Sequence, residues 1–441
     1  MQLEKAIGDS LGGAQRSAYA RGYRLYVLFI LTATFAFNFA DRQLMTILLE
    51  PVKTEFGASD TEMGLLTGLT FVLFYTALSV PIARLADRGS RRNVVAASVA
   101  AWSFMTAACG MATGFWSLAA ARIGVAVGEA GGTPASQSLL ADYFSPRRRS
   151  TALGIYASGS HLGVALGLFG GAVLAHFFDW RMAFIGLGVP GILLALLVRC
   201  TVAEPPRAQA VEASPPLFKT LRTILRSRAF RLLAVAAGLT SLSGFGLATW
   251  LPSFLVRVHG MSLVQAGTLL GIGSTLGGLF GAIGGGIVCD RMVRRDPSWQ
   301  LRIPALAVAL SAPALALLLM WPEQQHLRIG GHELPVAALF IPLNAFFIAV
   351  WIGPIYAAAQ SLVPQAWRSQ ALALLMLITN LIGQGVGPLL VGVLSDAFES
   401  AAPGHSLRYA LLASLCAVVA GALLFWRAGG CYRREIAPAG R

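Results

Sequence analysis

The chain has 441 residues, of which 56% are hydrophobic and only 12% charged, with a mean hydropathy of +0.67. A soluble domain carries about 25% charged residues, so a soluble enzyme or binding module is excluded. The formal net charge is +14, yet no basic stripe with interleaved aromatics lies outside the apolar runs, and nucleic acid is not an expected partner.

Apolar runs of about 20 residues recur along the chain, each long enough to cross hydrocarbon. The expected fold class is an all-α polytopic membrane protein. One run that reads as a strand, Val336 to Ile341, continues into a long apolar segment, so a barrel is not expected. The five cysteines are scattered singly, with no metal spacing and no disulfide framework. The first apolar run is too long for the core of a cleavable signal.

In chain order, residues 1–24 read as a basic cytoplasmic tail. Spans follow at about 25–49, 62–86, 93–111, 115–143, 151–176 and 183–198, forming a first bundle over 25–198. A short acidic loop with Glu50, Glu55 and Asp60 separates the first two spans. Residues 199–228 are polar, basic and proline-containing, and read as a cytoplasmic linker. Spans at about 230–258, 263–289, 303–321, 335–363, 371–397 and 407–426 make a second bundle over 229–426, before a basic tail, 427–441. Arginine clusters fall in the two tails and in every second loop. That pattern places both termini in the cytoplasm of a multi-pass cell (inner) membrane protein.

The second half echoes the first. Asp87-Arg88 with Arg91-Arg92 returns as Asp290-Arg291 with Arg294-Arg295, an offset of 290 − 87 = 203. Gln137-Ser138-Leu139 returns as Gln360-Ser361-Leu362, an offset of 360 − 137 = 223. Two six-helix halves in a parallel repeat resemble the plan of the major facilitator superfamily of transporters. The stretch Ala83 to Arg92 is similar to that superfamily's signature loop after the second helix. Asp87, Arg88, Arg91 and Arg92, with Asp290 and Arg291, are the expected conformational gate. An acid at a helix end pairs with arginines and receives a helix N-terminus there, which latches one closed state.

Four charges lie inside apolar spans of the first half: Asp41, Arg42, Arg122 and Glu129. Ionisable groups at membrane depth are costly and mark a pathway or relay. Arg122 and Glu129 are seven residues apart, on roughly one helix face and about 10 Å apart along the axis. Counting residues from the helix ends brings Asp41 to a depth near Arg122, and a pairing is expected. The alternative is that Asp41 and Arg42 merely mark the outer helix end. At the offset of 223, Ala345 and Ile352 occupy the places of Arg122 and Glu129. Proton coupling is therefore expected in the first half, with the second half supplying a substrate wall. His161 lies mid-span, and polar side chains stand in the second half at Thr240, Asn344, Tyr356, Gln360, Asn380 and Gln384. With Asn38 and Tyr75, these are the candidate substrate contacts.

Gly124 to Ala130, Pro134, Ala141-Asp142-Tyr143-Phe144, Arg149-Ser150 and Gly159-Ser160-His161-Leu162-Gly163, with Asn38 and Asp41-Arg42, resemble the spinster family of that superfamily, in a bacterial member. The resemblance implies alternating-access transport of lysolipid-like amphiphiles, of the sphingosine-1-phosphate or lysophospholipid class, with protons as coupling ion. The alternative is a facilitator or exporter of small organic anions or drugs. No nucleophile–base or metal-ligand spacing occurs, so neither an enzyme nor a further cofactor is expected. The expected partners are the bilayer and an amphiphilic small molecule, with the protein a monomer.

Overall fold

The computed structural model describes residues 19–205, 217–329 and 332–436. Almost all of them are helical. In the first half the helices are α1 (Arg21–Ile47), α2 (Leu49–Phe56), α3 (Asp60–Leu65), α4 (Phe71–Arg88), α5 (Arg91–Gly110), α6 (Phe115–Glu129), α7 (Gly132–Tyr143), α8 (Pro146–Ala165), α9 (Gly171–Phe177) and α10 (Trp180–Thr201). The second half has α11 (Leu217–Arg226), α12 (Arg228–His259), α13 (Leu263–Val293), α14 (Trp299–Met320), α15 (Phe340–Val350), α16 (Ile352–Ser361), α17 (Arg368–Thr379), α18 (Gly387–Phe398), α19 (Ser406–Ala413) and α20 (Leu415–Ile436). Eleven helical stretches among the described residues are long and apolar enough to cross a membrane. A twelfth, the expected span 115–143, is interrupted between α6 and α7.

That interruption has a local cause. Gly128 lies against the backbone of Trp102, where a Cβ would sit 2.5 Å from its amide nitrogen, and Gly131 and Gly132 follow in quick succession. Three glycines within five residues weaken helix propagation, and the chain turns at Ala130–Gly131 directly after Glu129. Three other spans carry a π turn, at Leu66–Thr70, Leu166–Gly170 and Asn380–Val386. Such turns cluster at functional sites; Asn380 and Gln384 lie in the third.

Two compact units are formed. The first holds the described residues through Leu48 and from Phe74 to the start of the linker. The second holds Leu49–Leu73 together with everything from α11 onward. The acidic segment after α1 is thus a short helix, α2, leading into α3, and both belong to the second unit. Glycines bring α3 and its π turn into backbone contact with the α18 region: a Cβ on Gly64 would lie 2.5 Å from the Pro388 carbonyl, and one on Gly68 2.6 Å from that of Gly385.

The helical fold has one small exception. The polar loop before the tenth span contains a two-stranded antiparallel ribbon, β1 (His326–Ile329) and β2 (His332–Pro335), with Arg328 opposite Glu333. Val336–Leu339, the run that reads as a strand, is a 3-10 turn opening the tenth span. The linker also contains α11, which carries Ile224 into the second unit's core beside Phe230, Leu233 and Phe425.

Candidate functional site

In the first unit, α1 supplies two adjacent charges and α6 two more, and these meet as two crossed ion pairs. Arg122 donates from Nη1 to Asp41 Oδ2 at 2.8 Å. Arg42 donates from Nε and Nη2 to Glu129 Oε2 at 2.8 and 2.7 Å. Adjacent residues on α1 point about 100° apart, so one faces Arg122 and the other reaches Glu129 two turns further along α6. Thr106 of α5 donates to Asp41 Oδ1 and bonds back to the Trp102 carbonyl at 2.9 Å. The zone is neutral when all four groups are ionised, the condition under which charge tolerates burial.

The two pairs differ in access. The side chains of Asp41, Arg122 and Glu129 are 1%, 3% and 0% exposed, whereas Arg42 is 21% exposed. Its guanidinium lies over the rings of Phe39 and Tyr75, 5.7 and 5.1 Å from their centroids. Glu129 uses only Oε2; Oε1 is buried and has no hydrogen-bond partner among the described residues. Arg42 and Asp41 are therefore joined with Glu129 and Arg122 in one charged zone. The pairing with Glu129 is not one that residue counting along single helices reveals.

At one end of the same unit, Arg91 is a hub. It donates to Asp142, to Ser138 Oγ at 3.1 Å, to the Pro205 carbonyl at 3.1 Å and to Glu204 Oε1 at 2.9 Å. Glu204 also accepts from Ser90 Oγ and the Arg92 amide, each at 2.8 Å. Burial opposes its charge, but the Arg92 amide, Arg91 and Ser90 outweigh that and hold its carboxyl below the usual range. Of the remaining gate candidates, Arg88, Asp290 and Arg291 are exposed, and the Asp87 side chain lies outside the described residues. In the second unit the acid that gathers arginines near this loop is Asp296, 3.4 Å from Arg433 and 4.0 Å from Arg302.

The second unit holds a further ion cluster. Arg257 of α12 grips Asp60 with both terminal nitrogens at 2.8 Å and Glu50 through Nε at 2.7 Å. Lys53 and Ser395 also bond Asp60, Ser395 Oγ at 2.6 Å. Asp396 accepts from the Asp60 and Thr61 amides at 3.0 and 2.7 Å, capping α3 from α18. In the sequence, Glu50 and Asp60 read as loop acids; the signal for a partner was Arg257, a cation closing a long apolar run.

The candidate substrate residues are dispersed. In the first unit, Asn38 is buried, Tyr75 lies under Arg42, and His161 is exposed. In the second, Asn344 donates to the Ser311 carbonyl at 3.2 Å, a helix-to-helix bond. Thr240 is buried with Oγ1 unpartnered among the described residues, while Tyr356, Gln360, Asn380 and Gln384 are half-buried. No set of three or more metal-binding side chains is gathered among the described residues.

Comparison with known proteins gives a consistent answer. The family model of the Major Facilitator Superfamily matches residues 30–388. An MFS-type efflux pump of Mycolicibacterium smegmatis is 33% identical over 412 residues, 92% of this chain and 93% of that protein. Human protein spinster homolog 1 is 27% identical over 95% of this chain and 83% of its own length. Among solved structures, a bacterial homolog of the human lysosomal transporter spinster, in an inward-facing, unoccupied conformation, superposes with a TM-score of 0.84 at 28% identity, covering 96% of this chain and 100% of that one.

Proposed function

The chain belongs to the major facilitator superfamily and to its spinster branch, and on that footing we propose that it is a proton-coupled, alternating-access transporter of anionic lysolipid-like amphiphiles, of the sphingosine-1-phosphate or lysophospholipid class. The observation that carries this reading is the pair of crossed ion pairs Asp41–Arg122 and Arg42–Glu129, with Oε1 of Glu129 lacking a hydrogen-bond partner among the described residues. A proton on Glu129 Oε1 cancels the charge that holds Arg42. Arg42 is the more accessible cation of the zone, so once released it is the group positioned to take a phosphate-bearing head group. Deprotonation restores the pair and expels the anion. Asp41, deeper and braced by Thr106, holds Arg122 through the same logic as a second stage.

Neutralising one member of a buried pair costs about 3–5 kcal/mol, which shifts a two-state equilibrium by a factor of roughly 150 to 5,000. The cluster around Arg257 and Asp60 supplies a latch for such a change. Leu49–Leu73 is continuous with α1 and α4 in the chain but packs in the second unit, and the cluster is proposed to hold that packing in one conformation. Arginine clusters in the tails and alternate loops favour cytoplasmic termini in a cell membrane.

The test is uptake of a labelled lysolipid by proteoliposomes, with and without an imposed pH gradient, for the parent chain, Asp41→Asn and Glu129→Gln. Gradient-driven transport is expected only in the parent. Both variants responding like the parent overturns proton coupling. Competition by a sugar acid or drug, but not by the lysolipid, overturns the substrate class.

A further inference from the structure

The helices α1 and α8 run side by side in a fixed register. Gly159 lies against Thr32, Gly163 against Ala36 and Gly167 against Ala40, and 159 − 32 = 163 − 36 = 167 − 40 = 127. The same offset sets Arg148 level with Arg21, and Ile155 level with Leu28. Where glycines face the partner, the helices touch backbone to backbone. Toward their N-termini a Cβ on Gly22 or Gly154 would meet no neighbour within 4 Å, and Leu25, Leu28 and Ile155 line a cavity of about 270 Å³.

The mouth of that cavity carries Arg21, Arg24 and Arg148. None of the three has an ion pair with a described residue, and no acidic side chain lines the cavity. Both helices begin here, so their positive dipole ends add to the arginines. The walls below are apolar and reach about 10 Å down the seam, the rise from Arg21 to Leu28. Leu25 and Ile155 are 49% and 47% exposed, so the groove opens at the surface of the unit. A cationic mouth over a narrow apolar floor, at the end of a membrane-spanning helix pair, matches a phosphate ester with its glycerol and the first carbons of an acyl chain.

We propose that this groove is a binding site for one anionic phospholipid drawn from the surrounding bilayer, separate from the buried charge zone on α1 and α6. The lipid's phosphate takes the three guanidinium groups, and its chain lies along Leu25, Leu28 and Ile155. Basic pockets between membrane helices recognise head groups by this chemistry.

The test is native mass spectrometry of the full chain, released from nanodiscs of equal phosphatidylglycerol and phosphatidylcholine. The parent is expected to retain one phosphatidylglycerol in preference to phosphatidylcholine. Each arginine near an anionic head group contributes about fivefold, so Arg24→Gln with Arg148→Gln is expected to weaken retention about 25-fold. Arg24→Lys with Arg148→Lys keeps the charge and is expected to keep most of the preference, separating loss of charge from loss of fold. Equal retention of both lipids, or undiminished retention in the Gln variant, overturns the proposal. Displacement by millimolar inorganic phosphate assigns the site to free anions, and displacement by lysophosphatidylglycerol assigns it to the transport path; either result overturns it too. Failure of lysolipid transport with phosphatidylglycerol still retained would refute the transport reading alone.

Discussion

Replacing Asp60 by asparagine tests whether the Arg257 cluster holds a conformation closed. The side chain keeps its shape and loses its charge. Asp60 is 3% exposed and accepts both terminal nitrogens of Arg257, which is 19% exposed and keeps Glu50 as a second partner. Breaking a buried pair from one side costs about 3–5 kcal/mol; with Glu50 remaining, the lower end applies. About 3 kcal/mol corresponds to a population change of roughly a hundredfold. The Asp60 and Thr61 amides, capped by Asp396 across the same contact, are the natural reporters. Hydrogen exchange at the start of α3 is expected to accelerate by up to about a hundredfold in Asp60→Asn, with little change in α5 or α10. If α3 exchanges as in the parent while the protein melts at the parent's temperature, the cluster is not a latch and the reasoning fails.

Further outcomes follow from the same contacts. Arg42→Gln is expected to raise the KM for a phosphate-bearing lysolipid at least tenfold and to leave that for an uncharged analogue within about threefold, since one charge-assisted contact is removed; equal losses for both would refute a head-group role. Glu204→Gln is expected to destabilise the protein at neutral pH. The folded pKa of Glu204 is depressed, so its contribution is present above the unfolded carboxyl value of about 4.3 and is lost as pH falls through the lower folded value. Melting curves of parent and variant should converge at acid pH, and a constant gap would assign the effect to something other than charge. Gly392→Ala puts a Cβ against the Asp60 carbonyl, 2.8 Å from its carbonyl carbon. Overpacking of this kind costs about 1–3 kcal/mol, read as faster exchange in α3, and unchanged exchange would show that α18 gives way there. Gly128→Ala, against the Trp102 backbone, is expected to lower the melting temperature without altering α3.

Much of the architecture was legible because membrane depth imposes a length on every span and a sign on alternate loops. The internal offset paired the halves, and counting residues placed Asp41 near the depth of Arg122. What failed to show is lateral information. Depth along one helix says nothing about which face meets which neighbour, so Arg42 read as ambiguous although its guanidinium reaches Glu129. The segment around Glu50 and Asp60 read as a loop because its helices are short and its charges alternate with apolar residues; only packing against α12 and α18 explains it. Glu204 lay in a polar linker, where nothing in sequence sets it apart from Glu212. The break after Glu129 was signalled by Gly131-Gly132, but a run apolar on both sides reads as continuous. The π turns leave no periodic signature, since one added residue per turn is within the noise of an apolar pattern.

Under the proposed mechanism, the charge distribution accounts for how one bundle both senses protons and tolerates them. Four groups that sum to zero when ionised place no net charge in the interior, which lowers the cost of burying them. Adding a proton to either acid leaves a net positive charge in a zone where only Arg42 has appreciable access. Relief comes from outside the zone, by an anion arriving at Arg42, or from losing the proton again. The repeat places Ala345 and Ile352 where the second half would otherwise carry a balancing set, so the second unit offers no carboxylate at those positions. Under the proposed mechanism, an anionic cargo is the counterion that a protonated first unit lacks, which would couple cargo to proton without any direct contact between them.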